Sequence, residues 1–261
     1  MKPFIAILLS TLSTTSWAAP NAELWPFWNR SATTQSLTVS HQAWQQLLDR
    51  YLMTQGENTL FDYAAVTHAA QQSLSRYIQG LSTLDPRQLT KSQQYAYWVN
   101  LYNALTVQLI LENYPISSIK KLGGWLSFGP WDQELLTIQG QNISLNDIEH
   151  RILRPIWRDP RSHYAVNCAS LGCPNLQSEA FTAHNSEHLL ERAAHTFINS
   201  NKGARQSEDQ WVISSIYDWF IEDFGSKRAL IQHLSTYRPE LKDYHGELRY
   251  EYNWQLNDKK R

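Results

Sequence analysis

Apolar side chains recur at helical spacing along much of the chain, separated by polar positions that repeat with the same period. Proline and glycine punctuate these stretches. Pro86, Pro115 and Pro155 should end three of them, and Gly225 should end another. The chain is therefore expected to be rich in helix. The predicted helices lie at residues 41–54, within 61–84, and at 93–113, 144–154, 187–199, 216–224 and 227–235.

Short strands are predicted between the helices. Glycine-rich turns suit strands such as 134–139, and residues 210–214 predict another strand. Residues 163–167 alternate in polarity like a strand and run into a loop of small residues, 168–174. Since strands and helices are interspersed without a linker-like segment, we expect one mixed α+β domain over residues 19–261, rich in helix and with a small sheet.

Charge and hydropathy limit the partners that this chain is expected to have. It holds 23 Lys+Arg against 24 Asp+Glu, a formal net charge of −1 at pH 7. Without a basic surplus, we predict no nucleic-acid partner. The most apolar stretch, 95–111, contains Asn100, Asn103 and Gln108, so no membrane span is predicted in the mature chain.

Residues 1–18 have the features of a secretory signal peptide. Lys2 precedes an apolar run from Phe4 to Leu12, and the small residues Ser16 and Ala18 stand three and one positions before the expected cleavage point. The apolar run is too short to favour a membrane anchor. We therefore expect an exported protein, either periplasmic or secreted.

Export affects the interpretation of the only two cysteines, Cys168 and Cys173. In an oxidising compartment, a close pair favours a disulfide. A thiol nucleophile and a structural metal site on the C-x4-C spacing remain alternatives. Redox exchange is a further alternative, although the spacing differs from the C-x-x-C of thioredoxin-like enzymes.

Several polar residues are predicted to face the interior. Glu149 lies in the middle of the apolar arc of helix 144–154, whereas His150 falls outside that arc. A buried carboxylate needs an Arg, a His or a network of donors, because leaving it unpaired costs several kcal/mol or raises its pKa. Asn100 and Asn103 lie one turn apart on an almost wholly apolar helix, so their amides either brace a neighbouring loop or line a pocket.

The predicted strand at 163–167 bears on which groups can meet. In a regular strand, His163 and Cys168 point to opposite faces and lie up to about 16 Å apart. A Cys168–His163 dyad therefore needs a bend, whereas His163 can meet Glu149 or Asn103 without one. Cys173 is geometrically freer, because the loop carries it back.

Three segments of the chain resemble the family called domain of unknown function 547 (DUF547). They are 97–105, 144–154 and 159–174, and the last contains the distinctive Asn-Cys-Ala-Ser sequence. The similarity runs from about residue 61 to residue 257. The resemblance implies no residue roles, although some similar domains are joined to a glutaredoxin-like domain, which hints at thiol chemistry. Residues at motif positions are Asn100, Asn103, Glu149, His150, Arg154, Arg161, His163, Cys168 and Cys173.

One function that fits these residues is an exported cysteine-dependent hydrolase or acyltransferase, with a papain- or transglutaminase-like arrangement by analogy. A cysteine would attack an acyl carbon, a histidine would accept its proton, and Glu149 would orient the imidazole. The candidate catalytic residues are Cys168, Cys173, His163, His150 and Glu149, and the candidate binding residues are Asn100, Asn103, Arg154 and Arg161. We predict no metal site and no cofactor.

The second function is a non-catalytic exported binding module. Its loop would be locked by a Cys168–Cys173 disulfide, and its polar residues would form a buried network or a pocket. The ligand would be an unknown small molecule, peptide or glycan. Candidate stacking surfaces are Trp125, Trp131, Trp157 and Trp219.

Overall fold

The computed structural model describes residues 20–35, 37–123 and 129–259. The predicted signal peptide and Trp125 lie outside these residues. The α-helices are α1 (Gln42–Tyr51), α2 (His68–Ser82), α3 (Lys91–Asn113), α4 (Arg154–Trp157), α5 (Ser186–Ile198), α6 (Ile216–Trp219), α7 (Ile221–Phe224) and α8 (Lys227–Tyr237). The strands are β1 (Leu52–Gln55), β2 (Asn58–Phe61), β3 (Leu136–Ile138), β4 (Gln141–Ile143), β5 (Ala204–Ser207), β6 (Gln210–Ser214) and β7 (Leu248–Glu251).

The strands of the described residues form three small sheets. β1 with β2 and β3 with β4 are antiparallel hairpins. In the third sheet, β6 lies between β5, which is antiparallel to it, and β7, which is parallel to it. Helices and small sheets are interspersed in one mixed domain, which confirms the predicted α+β class.

Helix α3 is the central element of the larger core. Thr90 and Gln93 form a capping box at its start, which satisfies backbone donors that the first helical turn leaves free. Its side chains are buried on every face, as the apolar sequence predicts. Within the described residues, no helix is both long enough and apolar enough to cross a membrane.

Two apolar clusters meet near the sulfur-bearing loop. The larger surrounds α3, and the smaller consists mainly of residues from α5, β6 and α8. Tyr164 belongs to the smaller cluster, whereas Ala165 and Val166 belong to the larger one. The chain therefore passes from one cluster to the other just before it reaches Cys168.

The strand predicted at residues 163–167 is wrong, because a 3-10 helix runs over Pro160–Tyr164. Asp159 caps this helix by accepting a hydrogen bond from Arg161 N at 2.9 Å, and Pro160 occupies the first turn. Aspartate followed by proline favours a helix start, and that local signal outweighs an alternation only five residues long. The separation expected of an extended strand does not apply to His163 and Cys168.

Pro155 does not close the preceding helix, contrary to the sequence prediction. A π-helical segment, Asp147–Leu153, leads directly into α4, which continues past Pro155 to Trp157. Arg154 N donates to Glu149 O, five residues earlier, as in a π-bulge. The helix ends at Arg158, whose backbone is left-handed with φ of +53°. A change of helical period thus allows the proline to be accommodated.

The amino-terminal segment satisfies the carbonyl groups that this π-helical turn leaves free. Glu23 N donates to His150 O and Trp25 N donates to Arg151 O, both at 3.0 Å. The Trp25 ring also lies under the Arg151 guanidinium, 4.2 Å from its centroid. Backbone from a distant part of the chain therefore covers this helix and helps to bury His150.

Candidate functional site

Two cysteines and two hydroxyl groups form a compact cluster, which we call the sulfur site. Cys168 Sγ lies 2.8 Å from Cys173 Sγ, 3.2 Å from Ser170 Oγ and 3.1 Å from Tyr252 Oη. The two hydroxyl oxygens are themselves 2.9 Å apart. Both cysteines are free thiols; Cys168 is partly exposed and Cys173 is buried. Cys168 thus reaches solvent while three donors surround its sulfur.

Side-chain hydrogen bonds hold the ends of the sulfur-bearing loop together. Asn167 Nδ2 donates to Pro174 O at 2.7 Å, and Asn167 Oδ1 accepts from Ala169 N at 2.9 Å. The backbone N–H of Cys168 donates to Cys173 Sγ at 2.9 Å. The loop is therefore closed on itself independently of any covalent bond between the sulfurs.

The carboxyl-terminal segment forms the support on which this loop rests. Leu171 N donates to Gln255 O at 2.7 Å, and Gly172 N donates to Asn253 O at 2.8 Å. A Cβ atom on Gly172 would lie 2.6 Å from Asn253 N, so a glycine is required for this close approach. The same segment supplies Tyr252, whose hydroxyl contacts Cys168 Sγ.

The surroundings shift the pKa values of the two thiols in opposite directions. Burial alone would raise the pKa of Cys168, but hydrogen bonds from Cys173, Ser170 and Tyr252 lower it below its ordinary value. Burial raises the pKa of Cys173, and its hydrogen bond to Cys168 raises it further. Cys168 is therefore the sulfur that forms the thiolate, while Cys173 keeps its proton and donates it.

A second group of polar side chains forms what we call the charged cluster: Glu149, His150, Arg154, His163 and Asp223. His163 Nε2 lies 2.6 Å from Asp223 Oδ2, and His163 Nδ1 lies 3.7 Å from Glu149 Oε1. Arg154 donates from Nε to the same Asp223 oxygen at 2.5 Å. Its Nη1 lies 3.0 Å from His150 Nδ1 and donates to Pro20 O at 2.7 Å. Two carboxylates are therefore paired with two cationic groups.

Phe220 covers the charged cluster from the junction between α6 and α7. Its ring stacks on His163 with centroids 4.3 Å apart and planes 14° apart. The Arg154 guanidinium lies 4.8 Å from the same ring, and the His150 ring lies 5.6 Å from it. The helix predicted over residues 216–224 is broken at this residue into α6 and α7. The break places one aromatic ring within 6 Å of three nitrogen-bearing groups.

Charge pairing sets the protonation states of the cluster. Burial would raise the pKa of Glu149 and of Asp223, yet their cationic neighbours lower each to about 2. Burial would lower the pKa of His163, but hydrogen bonds to Asp223 and Glu149 raise it above its ordinary value. Burial lowers the pKa of His150 to about 4. His163 therefore favours its charged form more than a free imidazole does, whereas His150 is neutral at neutral pH.

Tyr102, on α3, links the two clusters electrostatically. Burial raises its pKa, and the charges of Glu149, Cys168 and Cys173 raise it further. The Glu149 charge also raises the pKa of Cys168. The phenol therefore lies close to both the acidic side of the charged cluster and the sulfur site.

The two asparagines of α3 act as backbone braces. Asn103 Nδ2 donates to Ala165 O at 2.9 Å, and its Oδ1 accepts from Asn167 N at 2.8 Å. Asn100 makes the same pair of bonds to Phe181 N and O, at 3.0 and 2.8 Å. Both amides use a donor and an acceptor to satisfy irregular backbone, and Asn103 does so at the entry to the sulfur-bearing loop.

The remaining sequence candidates are distributed unevenly. Glu149, His150, Arg154 and His163 converge, and His150 is buried although helical spacing put it outside the apolar arc. The π-helical turn changes that spacing. Arg161 instead forms ion pairs with Asp159, which caps the 3-10 helix, and with Glu187 and Glu191 on α5. These contacts place it outside the charged cluster.

Sequence reasoning missed Asp223, Tyr252 and Tyr102 as members of these clusters. Asp223 follows Glu222 and precedes the buried Phe224 on α7, so no sequence pattern distinguished it from an exposed acid. Tyr252 lies near the carboxyl-terminal end of the region of similarity, far in sequence from the Asn-Cys-Ala-Ser segment. Within the described residues, no group of three or more His, Cys, Asp or Glu side chains is arranged to hold a metal ion.

Comparison with known proteins identifies the family but no activity. Residues 86–198 match the family model described as "Protein of unknown function, DUF547". No curated protein and no solved structure matches the chain. The matched region contains both asparagine braces, the sulfur-bearing loop and four of the five residues of the charged cluster. The resemblance seen in the sequence is thus confirmed over residues 86–198, where the chain is similar to the DUF547 family.

Proposed function

We propose that this protein is an exported thiol-dependent hydrolase or acyltransferase in which Cys168 is the nucleophile. The observation that carries the proposal is the environment of Cys168 Sγ, which is partly exposed and lies within hydrogen-bonding distance of three donors. Such donors favour the thiolate, and the thiolate is the nucleophilic form of cysteine. Cys173 lies deeper and serves as one of the donors.

In the proposed reaction, the Cys168 thiolate attacks the acyl carbon of an ester or amide and forms a thioester. The bond from that carbon to the leaving group then breaks, and the leaving group takes up a proton from solvent water. Burial raises the pKa of Tyr252 well above 10, so its hydroxyl is protonated at neutral pH and lies 3.1 Å from the sulfur. Water or an acceptor nucleophile then attacks the thioester and regenerates the thiolate.

The charged cluster has a positioning role in this proposal. Within the described residues, the polar contacts of Cys168 Sγ come from a thiol and two hydroxyls, and none comes from an imidazole. His163 has a carboxylate near each ring nitrogen, which favours its protonated form and makes it poorly suited to accept a proton from Cys168. We infer that His163 and Glu149 hold the 3-10 helix against the π-helical segment and so position the loop that follows.

The alternative, a non-catalytic exported binding module, is favoured by one observation. The two sulfurs are close enough that a small movement would join them, and a permanent disulfide would remove the nucleophile. In that case the loop would be a rigid scaffold for a small-molecule, peptide or glycan ligand. The two proposals differ in whether the reduced protein forms an acyl-enzyme.

The test is to mix the reduced full chain with p-nitrophenyl acetate and record the release of p-nitrophenolate. We expect a burst that approaches one equivalent, accompanied by an acetyl adduct on Cys168 that hydroxylamine removes, as a thioester requires. Cys168→Ala should abolish both signals. Cys173→Ser, the matched control, should keep the adduct, with a slower burst because one donor to the thiolate is weakened.

Two results would refute acyl transfer through Cys168. One is an equal burst in wild type and in Cys168→Ala. The other is a Cys168 alkylation rate whose pH midpoint is near 8.5, the ordinary value for a free thiol. Far-UV circular dichroism of each variant should show that it is folded.

A further inference from the structure

The two sulfurs of the sulfur site are in van der Waals overlap without being bonded. Their separation of 2.8 Å compares with about 2.0 Å for a disulfide. The backbone N–H of Cys168 already points at Cys173 Sγ, at 2.9 Å. Bond formation therefore requires less than an ångström of sulfur movement.

The surrounding backbone holds this geometry in place. The Asn167 side chain bonds both Pro174 O and Ala169 N, so the loop ends cannot separate freely. Asn257 N donates to Ala169 O at 3.1 Å, and the carboxyl-terminal segment also binds Leu171 and Gly172. A pair held this firmly has a high effective concentration of one sulfur toward the other.

The two sulfurs are unequal in access. Cys168 is partly exposed, whereas Cys173 is only 5% exposed. An external disulfide can therefore reach Cys168 but not Cys173. Because Cys168 also has the lowered pKa, it is suited to attack first, and Cys173 is placed to complete the exchange.

We propose that Cys168 and Cys173 are a redox-active dithiol that exchanges reversibly with low-molecular-weight disulfides, and that the closed bond switches the nucleophile off. The Cys168 thiolate attacks an external disulfide, RS–SR, forming a mixed disulfide and releasing RS⁻, which takes up a proton. Cys173 then gives up its proton and attacks Cys168 Sγ, releasing the second RS⁻, which also takes up a proton. Two electrons pass from the dithiol to RS–SR, and two RSH are formed.

The loss of activity in this scheme rests on the proposed function, whereas the reversible bond does not. A permanent structural disulfide would stay closed in thiol buffers. This pair is instead expected to open and close as the ratio of reduced to oxidised thiol in the buffer changes. The site also differs from a C-x-x-C redox motif. Four residues separate its two cysteines, and neither cysteine lies at the start of an α-helix.

The experiment equilibrates the full chain in buffers of reduced and oxidised glutathione at graded ratios, then quenches with acid and alkylates free thiols. Mass spectrometry should show an internal Cys168–Cys173 bond whose fraction follows the glutathione ratio and which excess reductant reverses. Cys173→Ser should accumulate a glutathione adduct on Cys168. Cys168→Ser, the matched control, should show little or no adduct on Cys173.

Two outcomes would overturn the inference: both thiols remaining free at every ratio, or a bond that excess reductant does not open in the folded protein. Equal glutathione adducts on the two single variants would contradict the unequal roles of the sulfurs. The acetyl burst, measured at each ratio, should fall in proportion to the internal bond.

The same data separate this inference from the proposed function. If the bond forms reversibly and the reduced chain gives no acetyl adduct, the redox pair stands and acyl transfer fails. If the reduced chain gives the adduct and glutathione changes neither thiol, acyl transfer stands and the redox pair fails.

Discussion

His163 and Asp223, sixty residues apart in the chain, are joined by a 2.6 Å contact between Nε2 and Oδ2. The same carboxylate oxygen accepts from Arg154 Nε. One acid on the short helix α7 therefore fixes both the 3-10 helix that precedes the sulfur-bearing loop and the helix that carries Glu149. A single carboxylate therefore couples three segments of the chain through two contacts.

Replacing Asp223 with Asn should destabilise the protein by about 3 kcal/mol, because it leaves two buried cationic groups with one fewer anionic partner. The pKa of His163 should fall, since the Asp223 hydrogen bond is a main cause of its increase. Urea denaturation at pH 7 measures the first effect and NMR titration of the imidazole the second. Asp218→Asn, a change at an exposed acid on α6, is the control, and equal losses in the two variants would contradict the coupling.

Acid should destabilise the fold at pH values well above those at which Glu149 and Asp223 titrate. Burial lowers the pKa of His41, His150 and His233 from 6.5 to about 4. Between these values the unfolded chain binds more protons than the folded one, so stability that is complete above pH 6.5 is lost as the pH falls toward 4. Each of these shifts corresponds to as much as about 3 kcal/mol, so the free energy of unfolding should decrease by several kcal/mol over this range.

His163 should act in the opposite direction. Its folded pKa is raised, so its contribution to stability is complete below pH 6.5 and is lost as the pH rises through the folded value. The free energy of unfolding, measured in urea from pH 4 to 9, should therefore pass through a maximum near neutral pH.

His233→Gln should reduce the loss of stability between pH 6.5 and 4 by about a third, because it removes one of the three histidines with a lowered pKa. An unchanged slope would contradict the assignment.

Replacing Asn103 with Ala should loosen the sulfur site. The change removes two buried hydrogen bonds to Ala165 and Asn167 and should cost about 2–3 kcal/mol. Alkylation of Cys168 should accelerate at pH 8, because loss of the brace frees the backbone that leads into its loop. Asn100→Ala is a closely matched control, because it removes the same two bond types from the same helix at Phe181. It should cost similar stability without changing the alkylation rate.

Replacing Gly172 with Ala should displace the carboxyl-terminal segment from the sulfur-bearing loop. The new Cβ would lie 2.6 Å from Asn253 N, and backbone cannot yield as a flexible side chain can. We expect a loss of about 1–3 kcal/mol and a higher pKa for Cys168, as Tyr252 moves away. Gly80→Ala, with no atom within 4 Å of its added Cβ, should be neutral or stabilise α2 by up to about 1 kcal/mol. A Gly172 variant as stable as this control would contradict the close approach.

The periodic and capped elements of this chain were readable from sequence. Predicted segments 93–113 and 187–199 correspond to Lys91–Asn113 and Ser186–Ile198, and strand 210–214 matches Gln210–Ser214. Their signals are local: apolar spacing, a capping residue and a proline or glycine at the end. The inward-facing Glu149 was also readable, since a carboxylate on an apolar arc needs a buried partner.

The sequence alone determined that the chain builds a helix-rich α+β fold around one apolar helix and that polar groups are carried into its interior. The tertiary structure decided which of those groups meet. Asp223 reaches His163 because α7 packs beside the 3-10 helix, and Tyr252 reaches Cys168 because β7 leads the chain back under the loop. These contacts join residues 60 and 84 positions apart, and local periodicity carries no information about pairing at such distances.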